Sequence, residues 1–268
     1  MLNEVCKVIR RVRESKPLVQ AITNYVTIND CANILLGFGA SPAMCEIVDE
    51  VEGFVAISSS LYINIGTLAG EQKRSIPLAV AKASELNIPV VIDPVGVGAI
   101  PSRVDYVINL LENYNISIVK GNLGEIKVLA GIDANVRGVD SIDDGVGGID
   151  ACRMLAERYN TVVVASGAQD IITDGKRVAL VDNGTPLLAL ITGSGCMLGA
   201  LASATAAVER DFFNAALTGV LAMGLAGEIS ADLLAGEVLP GTFRVKLFDE
   251  IYRLSEKDIL ERGRLTWL

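Results

Sequence analysis

The sequence contains no histidine among its 268 residues, and this absence removes several kinds of active site. A serine–histidine–aspartate triad needs an imidazole, and zinc sites usually include one. The five cysteines show no C-x-x-C spacing, so a structural zinc site made of thiolates is disfavoured as well. Acid–base chemistry must therefore come from Asp, Glu, Cys, Lys or Tyr side chains.

Basic residues are scarce relative to acidic ones. With 23 Lys and Arg against 32 Asp and Glu, the formal net charge is −9, which argues against a nucleic-acid partner. The N-terminal segment is charged and lacks the apolar core of a signal peptide. Residues 212–227 are apolar nearly all round, as in a helix that is deeply buried or lies at a subunit interface. We therefore expect a cytoplasmic protein that does not associate with a membrane.

Short runs rich in Val and Ile alternate with helical segments along most of the chain. Such runs are typical of a parallel sheet that helices cover on both faces. The predicted strands are residues 18–22, 61–65, 89–92, 116–119, 161–165 and 187–191, with a hairpin formed by 171–173 and 177–181. We also expect an extended link at 41–44, a helix at 46–56, a surface loop at 133–150 and only helices after 191. No segment resembles a linker, so we predict a single α/β domain over residues 1–268.

The stretch from Leu187 to Val208 organises the predicted site. Its apolar run is followed by the turn TGSGC at 192–196 and then by the small and apolar residues of a packed helix. A strand that turns through glycines into a helix leaves N–H groups unpaired at the helix start, and these attract anions such as phosphate. Cys196 lies in the same positive field, where a thiolate is favoured. Two structural alternatives are a turn that only permits close helix packing and a cysteine that only fills space.

Polar side chains follow other predicted strands at their carboxyl ends, where ligands collect in open parallel sheets. Asp93 ends the strand VVID, Lys120 follows ISIV with Glu125 one helical turn later, and Ser166 follows VVVA. Two carboxylates, an ammonium and a hydroxyl would then face the glycine turn. This set suits Mg²⁺ bound with a nucleotide, and it suits phosphoryl transfer. Each residue alone also has an ordinary explanation, such as a turn cap or a solvated charge.

Two common nucleotide-binding motifs are absent or incomplete. No G-x-x-x-x-G-K-[ST] occurs, so the chain is not a P-loop kinase. Gly193, Gly195 and Gly199 form G-x-G-x-x-x-G, but late in the chain and without an acidic residue at the spacing that a ribose contact needs. A Rossmann oxidoreductase is therefore disfavoured.

Seven segments in order resemble hydroxyethylthiazole kinase, a family of the ribokinase-like group. They are PLVQAITNYVTINDCANILLGFGASPAM, LYINIGTL, VVIDPVGVGA, VKGNLGEI, VVVASGAQDIITDG, ITGSGCMLGA and LPGTFRVKLFDEIY, and they extend from about residue 17 to 253. The resemblance implies a ribokinase-like fold and ATP-dependent phosphorylation of the primary alcohol of 4-methyl-5-(2-hydroxyethyl)thiazole, in thiamine biosynthesis and salvage. It also implies a homotrimer with active sites between subunits.

The resemblance assigns roles on the acceptor side of the reaction. Met44 is expected against the thiazole ring, and Gly193 and Gly195 around the alcohol and the transferred phosphoryl group. Asn24, which ends the first predicted strand, is expected to contact the substrate as well. Cys196 occupies the position where many ribokinase-like sugar kinases carry the aspartate base.

On the nucleotide side, Lys120 and Ser166 are expected to contact ATP, where the family usually has arginine and threonine. Asp93 and Glu125 fall in the magnesium–phosphate region and are the predicted metal ligands. A further departure is Gln20, which stands where the family usually has histidine.

Three other functions fit the same residues. The first is a kinase of another vitamin-precursor alcohol, hydroxymethylpyrimidine or pyridoxal. The second is a ribokinase-like dehydratase of nicotinamide hydrates, and the third is a non-catalytic nucleotide sensor. ATP consumption that depends on an added alcohol separates the kinases from the other two.

Overall fold

The structure is a computed structural model that describes residues 1–132 and 146–268. Within these residues the strands are β1 (Leu18–Ile22), β2 (Ser41–Ala43), β3 (Ser60–Asn64), β4 (Val90–Asp93), β5 (Ile118–Asn122), β6 (Val162–Ser166), β7 (Asp170–Thr173), β8 (Val178–Val181) and β9 (Leu265–Trp267). They form one sheet in the order β2-β1-β3-β4-β5-β6-β7-β8-β9. The strands from β2 to β6 pair in parallel, and β7, β8 and β9 pair antiparallel. The predicted mostly parallel sheet is confirmed.

Helices cover both faces of this sheet. They are α1 (Leu2–Ser15), α2 (Ile28–Phe38), α3 (Val51–Ile57), α4 (Gly70–Leu86), α5 (Pro101–Asn113), α6 (Leu123–Leu129), α7 (Val146–Tyr159), α8 (Ser194–Ala206), α9 (Phe212–Asp232), α10 (Pro240–Arg253) and α11 (Glu256–Arg262). One core lies under α1, α2 and α8 to α11, and we call this side of the sheet the α8 face. The second core lies under α3 to α7 on the opposite side.

Side chains alternate between the two cores along each central strand, because successive residues of a strand point to opposite faces. In β3, Leu61 and Ile63 belong to the core under α4, whereas Tyr62 belongs to the core of the α8 face. In β4, Ile92 packs under α4 and Val91 under α8. Both faces are buried, which explains the unbroken apolar runs in the sequence.

Helix α9 is apolar nearly all round because other elements enclose it. Of its most apolar stretch, 83% is buried within the protein. Gly219 permits its close approach to α8, since a Cβ atom there would lie 3.0 Å from the backbone nitrogen of Ala202. Its length and composition would also suit a membrane span, but the core helices of soluble proteins pass the same test. The buried helix predicted for this segment is confirmed.

The strand predicted at 187–191 is wrong. Pro186–Leu190 is a 3₁₀ helix, and the Thr185 side chain accepts a hydrogen bond from the Leu187 N–H at its start. Proline is favoured at the first helical position, and the sheet position beside β8 is filled by β9. Leu190 is 53% exposed, so this apolar run lies at the surface.

Several smaller expectations also need correction. The expectation of only helices after residue 191 is wrong, because β9 follows them. The extended link predicted at 41–44 contains β2, which is an edge strand of the sheet. The helix predicted at 46–56 begins at Val51. The loop predicted at 133–150 is wrong in its last part, where α7 begins at Val146. Residues 133–145 lie outside the described residues.

Candidate active site

Of the buried polar side chains of the central strands that point to the α8 face, four are joined to one another by hydrogen bonds. Tyr62 and Asn64 lie in β3, Asp93 ends β4, and Lys120 lies in β5. Alternation along each strand gives these four residues a common side of the sheet. Helix α8 packs across β1, β3, β4 and β5 on the same side. The start of α8 therefore meets the carboxyl ends of neighbouring parallel strands.

The glycine turn before α8 is present, although a 3₁₀ helix leads into it. Gly193 is the N-cap residue, with a φ of +89° that favours glycine. The N–H groups of the next three residues have no acceptor within the helix. At Gly195, a Cβ atom would lie 3.0 Å from Nζ of Lys120. Glycine thus brings the helix start close to a buried ammonium group, and both attract an anion.

Asp93 and Lys120 form a buried ion pair behind the turn. Nζ of Lys120 lies 3.5 Å from Oδ2 of Asp93, and the two residues are 4% and 1% exposed. Burial raises the pKa of Asp93 to about 6 despite the nearby ammonium. Burial opposes the charge on Lys120, but the combined attraction of Asp93, Cys196 and Glu125 outweighs it and raises the pKa of Lys120. The buried Lys120 therefore keeps its ammonium charge beside Asp93.

Cys196 lies on the first turn of α8, and its sulfur contacts two amides. The Nδ2 atoms of Asn24 and Asn64 each donate to Sγ at 3.3 Å, and the Tyr62 hydroxyl donates to the backbone oxygen of Cys196 at 2.9 Å. Burial, and then the charge of Asp93, raise the pKa of the Cys196 thiol. The expectation of a favoured thiolate in the free protein is therefore wrong, because burial outweighs the field of the helix start.

Glu125 and Ser166 lie further along the same edge. Glu125 accepts hydrogen bonds from the backbone N–H groups of Gly96 at 3.0 Å and Asn122 at 2.9 Å. Ser166 ends β6 opposite Asn122 and donates to the backbone oxygen of Gly121 at 3.2 Å. The structure thus brings Asn24, Asp93, Lys120 and Cys196 into one hydrogen-bonded group, with Glu125 and Ser166 beside it.

Met44 follows the edge strand β2. It is half-buried and packs against the core of the α8 face. Because Ala43 pairs with Gln20 and the strands β2 and β1 are parallel, Met44 and Asn24 both lie at the carboxyl ends of these strands. Gln20 stands where the resembling family usually has histidine. Its side-chain Nε2 donates to the backbone oxygen of Cys45 at 3.2 Å. It therefore holds the segment after Met44 against β1.

The predicted metal ligands Asp93 and Glu125 do not form a complete metal-binding site by themselves. In the part of the chain that the structure describes, no three Asp, Glu or Cys side chains could hold one ion together. However, Oδ1 of Asp93 is buried and has no hydrogen-bond partner there. A buried carboxylate oxygen without a partner fits a cation that enters with its other ligands. Mg²⁺ commonly binds in this way, with phosphates and waters completing its coordination.

Sequence reasoning missed Tyr62 and Asn64. Residues 61–65 are predicted as a strand without a functional face, and the polar residues at positions 60, 62 and 64 are the signal that indicates one. It also missed why Gly199 is a glycine. A Cβ atom at Gly199 would lie 2.7 Å from the Tyr62 hydroxyl oxygen, so the glycine makes room for this ring.

Comparison with solved structures shows the fold. A ribokinase-like superfamily protein from Enterococcus faecalis V583 superposes with a TM-score of 0.61 and 14% identity, covering 89% of this chain and 87% of that one. Identity at this level shows the fold alone. The chain has the ribokinase-like α/β fold.

Closer relatives show the family. The model of the hydroxyethylthiazole kinase family matches residues 9–257. The hydroxyethylthiazole kinase of Clostridium novyi (strain NT) is 51% identical over 268 residues, which cover 100% of both chains. The structure of the hydroxyethylthiazole kinase protein from Pyrococcus horikoshii OT3 gives a TM-score of 0.91 at 35% identity, covering 99% of both chains. This chain belongs to the hydroxyethylthiazole kinase family, and it is an enzyme of the phosphotransferase class.

Proposed function

We propose that the enzyme transfers the γ-phosphoryl group of ATP to the hydroxyl of 4-methyl-5-(2-hydroxyethyl)thiazole, in thiamine biosynthesis and salvage. The observation that carries this proposal is the meeting of Cys196, the glycine turn and the Asp93–Lys120 pair at the start of α8. The names of the Clostridium novyi and Pyrococcus horikoshii relatives support the identity of the alcohol. The need for ATP fits a cytoplasmic location.

On the acceptor side, the alcohol lies between Met44 and Cys196. The thioether and apolar surface of Met44 suit a sulfur-containing aromatic ring. Asn24 lies beside Cys196 at the same edge and borders the alcohol. The thiol of Cys196 first releases its proton to solvent. The alcohol oxygen then attacks the γ-phosphorus, the bond to the β–γ bridging oxygen breaks as ADP leaves, and the Cys196 thiolate takes the alcohol proton. Because phosphoryl transfer has a loose transition state, the proton can leave late, and a modest base suffices.

On the donor side, the transferred phosphoryl group lies at the N-terminus of α8. The N–H groups after Gly193 and the ammonium of Lys120 face the negative charge of its oxygens. Gly195 keeps the space between them open, since a side chain here would meet Lys120. Ser166, at the end of β6, contacts the nucleotide.

Asp93 and Glu125 would hold Mg²⁺. The unpartnered Oδ1 of Asp93 supports this assignment. Both oxygens of Glu125 already accept backbone hydrogen bonds, which orient its carboxylate toward Gly96 and Asn122. When bound, Mg²⁺ offsets phosphate charge and stabilises the leaving group.

A substrate screen tests this function. Thiazole, pyrimidine and pyridine alcohols are each incubated with ATP and Mg²⁺, and ADP formation and the phosphorylated product are measured. We expect ADP formation that depends on the thiazole alcohol, with a thiazole phosphate as product. If the enzyme phosphorylated a pyrimidine or pyridine alcohol faster than the thiazole alcohol, that alcohol would be the substrate instead. ATP consumption that ignores every alcohol would overturn the kinase assignment.

The proposal includes a homotrimer of single-domain subunits, with active sites between subunits. Strand β2 is the edge strand of the sheet, and Met44 follows it directly. An edge strand next to a half-buried methionine suits a neighbouring subunit, which would cover both. In this arrangement Met44 of one subunit faces the Cys196 site of its neighbour.

Complementation between two inactive variants tests the shared site. Met44→Trp blocks the thiazole pocket, and Cys196→Ala disables the chemistry. After subunit exchange, mixed trimers contain some sites in which both residues are native, so activity should return in part. Exchange without any return of activity, or a fully active monomer by light scattering, would refute the shared site.

A further inference from the structure

Two buried amide side chains converge on the sulfur of Cys196. Asn64 lies in β3, and Asn24 lies just beyond β1, so the two amides approach from neighbouring strands. Each Nδ2 atom donates to Sγ at 3.3 Å, and the exposed fractions of Asn24 and Asn64 are only 4% and 0%. Both side chains therefore face the sulfur rather than solvent.

Backbone groups fix which end of each amide faces the sulfur. The N–H of Gly66 donates to Oδ1 of Asn64 at 3.0 Å, and the N–H of Thr27 donates to Oδ1 of Asn24 at 3.0 Å. Since an N–H group can only donate, these contacts require the amide oxygens there and direct both NH₂ groups the other way. A further bond, from Nδ2 of Asn24 to Oδ1 of Asn64 at 2.9 Å, joins the two amides. Their orientation is thus determined independently of the sulfur.

Two fixed donors suit a negatively charged sulfur better than a neutral one. A thiol sulfur is a weak acceptor, whereas hydrogen bonds to a charged acceptor are about twice as strong as neutral ones. Other groups around the sulfur act in both directions. Burial and the charge of Asp93 of β4 oppose a thiolate, whereas a hydrogen bond from the Thr27 side chain and the ammonium of Lys120 of β5 favour it.

We propose that Asn24 and Asn64 form a two-donor cradle that holds the sulfur of Cys196 toward the substrate alcohol and favours its thiolate form. This inference rests on the proposed function, because the thiolate takes the proton of the attacking alcohol. The thiol first releases its own proton to solvent. The alcohol proton then moves to the sulfur as the new O–P bond forms and ADP leaves. Asn64 is a positioning residue that acts through Cys196, whereas Asn24 both orients the sulfur and borders the alcohol.

The first experiment measures the thiolate without any substrate. The rate of Cys196 alkylation by iodoacetamide is followed by mass spectrometry in the wild type, Asn64→Ser, Asn24→Ser and Asn33→Ser. Asn33 is a matched control, because its exposed amide donates to the backbone oxygen of Asn29 on the surface of α2. Loss of a donor to a charged sulfur should slow alkylation about tenfold in both cradle variants, with no change in the control. A shorter side chain opens space around the sulfur, which would speed alkylation, so slowing is diagnostic.

The second experiment is a double-mutant cycle on kcat for the thiazole alcohol. Asn64→Ser should lower kcat about 10- to 100-fold in the wild-type background and less than about twofold in the Cys196→Ala background. In the Cys196→Asp background its effect should also be small, because a carboxylate needs no help to ionise at neutral pH. A residue with a merely structural role would lower kcat equally in all three backgrounds.

The outcomes separate this inference from the proposed function. Alkylation that is unchanged or faster in the folded cradle variants overturns the cradle, and so does an equal loss of kcat with and without Cys196. If Asn64→Ser fails to fold by circular dichroism, Asn24→Ser carries the alkylation test, which involves no substrate and then decides the cradle. If ADP formation by the wild type did not depend on the thiazole alcohol, the proposed function would be contradicted instead. The rate of Cys196 alkylation would still test whether Asn24 and Asn64 favour the thiolate.

Discussion

Replacing Gly199 by alanine is expected to destabilise the protein, although the same change stabilises most helices. Gly199 lies in the interior of α8, where alanine has a helix propensity about 1 kcal/mol better than glycine. However, the added Cβ atom would lie 2.7 Å from both Cε2 and the hydroxyl oxygen of Tyr62. This distance is far below ordinary van der Waals contact, so the ring or the helix must move.

The Tyr62 ring has little freedom to move. It is fully buried, and its hydroxyl donates to the backbone oxygen of Cys196 at 2.9 Å and accepts from Nδ2 of Asn64 at 3.0 Å. Overpacking of this kind costs about 1–3 kcal/mol, and a broken buried hydrogen bond adds about 1 kcal/mol. After the helix-propensity gain of Gly199→Ala is subtracted, we expect a net loss of about 1–3 kcal/mol in the free energy of unfolding.

Urea denaturation followed by circular dichroism measures this loss, with all proteins at one concentration because assembly affects stability. Gly53→Ala is the matched control. Gly53 lies in the helix α3, and its added Cβ atom would meet nothing within 4 Å. We expect the control to match or exceed wild-type stability. If Gly199→Ala gained stability as the control does, the close approach of Tyr62 to α8 would be refuted.

Three further predictions concern the site and the surface. Cys196→Ala should lower kcat about 10- to 1000-fold while Cys196→Asp keeps or raises activity; wild-type turnover by the alanine variant would make the thiol mere packing. Asp93→Asn should raise the Mg²⁺ concentration needed for half-maximal rate, and Lys120→Ala should raise KM for ATP more than KM for thiazole; unchanged values in both would reject these roles. Arg177 binds Asp211 through two hydrogen bonds of 2.7 Å and lowers the pKa of Asp211 below its ordinary 3.8. A carboxyl whose pKa is lowered in the folded state stabilises the fold above about pH 4, where it is ionised. Because solvent screens the exposed pair, Arg177→Met should lower the free energy of unfolding by at most about 1 kcal/mol at pH 7, and by less as the pH falls below 4. A loss of stability that is independent of pH in urea titrations would contradict this prediction.

The residues at the carboxyl ends of strands could be predicted from the sequence, because parallel strands share one functional edge. Asp93 and Lys120 follow recognisable strands, and the structure brings them to 3.5 Å. The Gly193–Cys196 turn could also be located, since a glycine pair before a helical run is a local signal. These predictions needed only the strand positions and not the order of strands in the sheet.

Tyr62 and Asn64 could not be assigned in the same way. Strand β3 does carry polar residues at alternate positions, but both faces of the sheet are buried, so this pattern does not show that the polar face meets a site. The same ambiguity explains the error at 187–191. An apolar run of five residues fits a strand or a 3₁₀ helix, and the choice depends on β9, which arrives from the far end of the chain.

Because the chain has no histidine, we expect stabilisation of negative charge to contribute more to catalysis than proton removal. Burial raises the pKa of Cys196, so little of its sulfur is present as the thiolate base, and this base supplies only part of the acceleration. A loose phosphoryl-transfer transition state needs little proton removal but much stabilisation of negative charge. In the proposed mechanism that stabilisation comes from Lys120 and the N–H groups at the start of α8, which are held before the substrate arrives. Loss of Lys120 should therefore reduce kcat/KM more than loss of Cys196 does. The opposite order would mean that proton removal, and not charge stabilisation, limits the reaction.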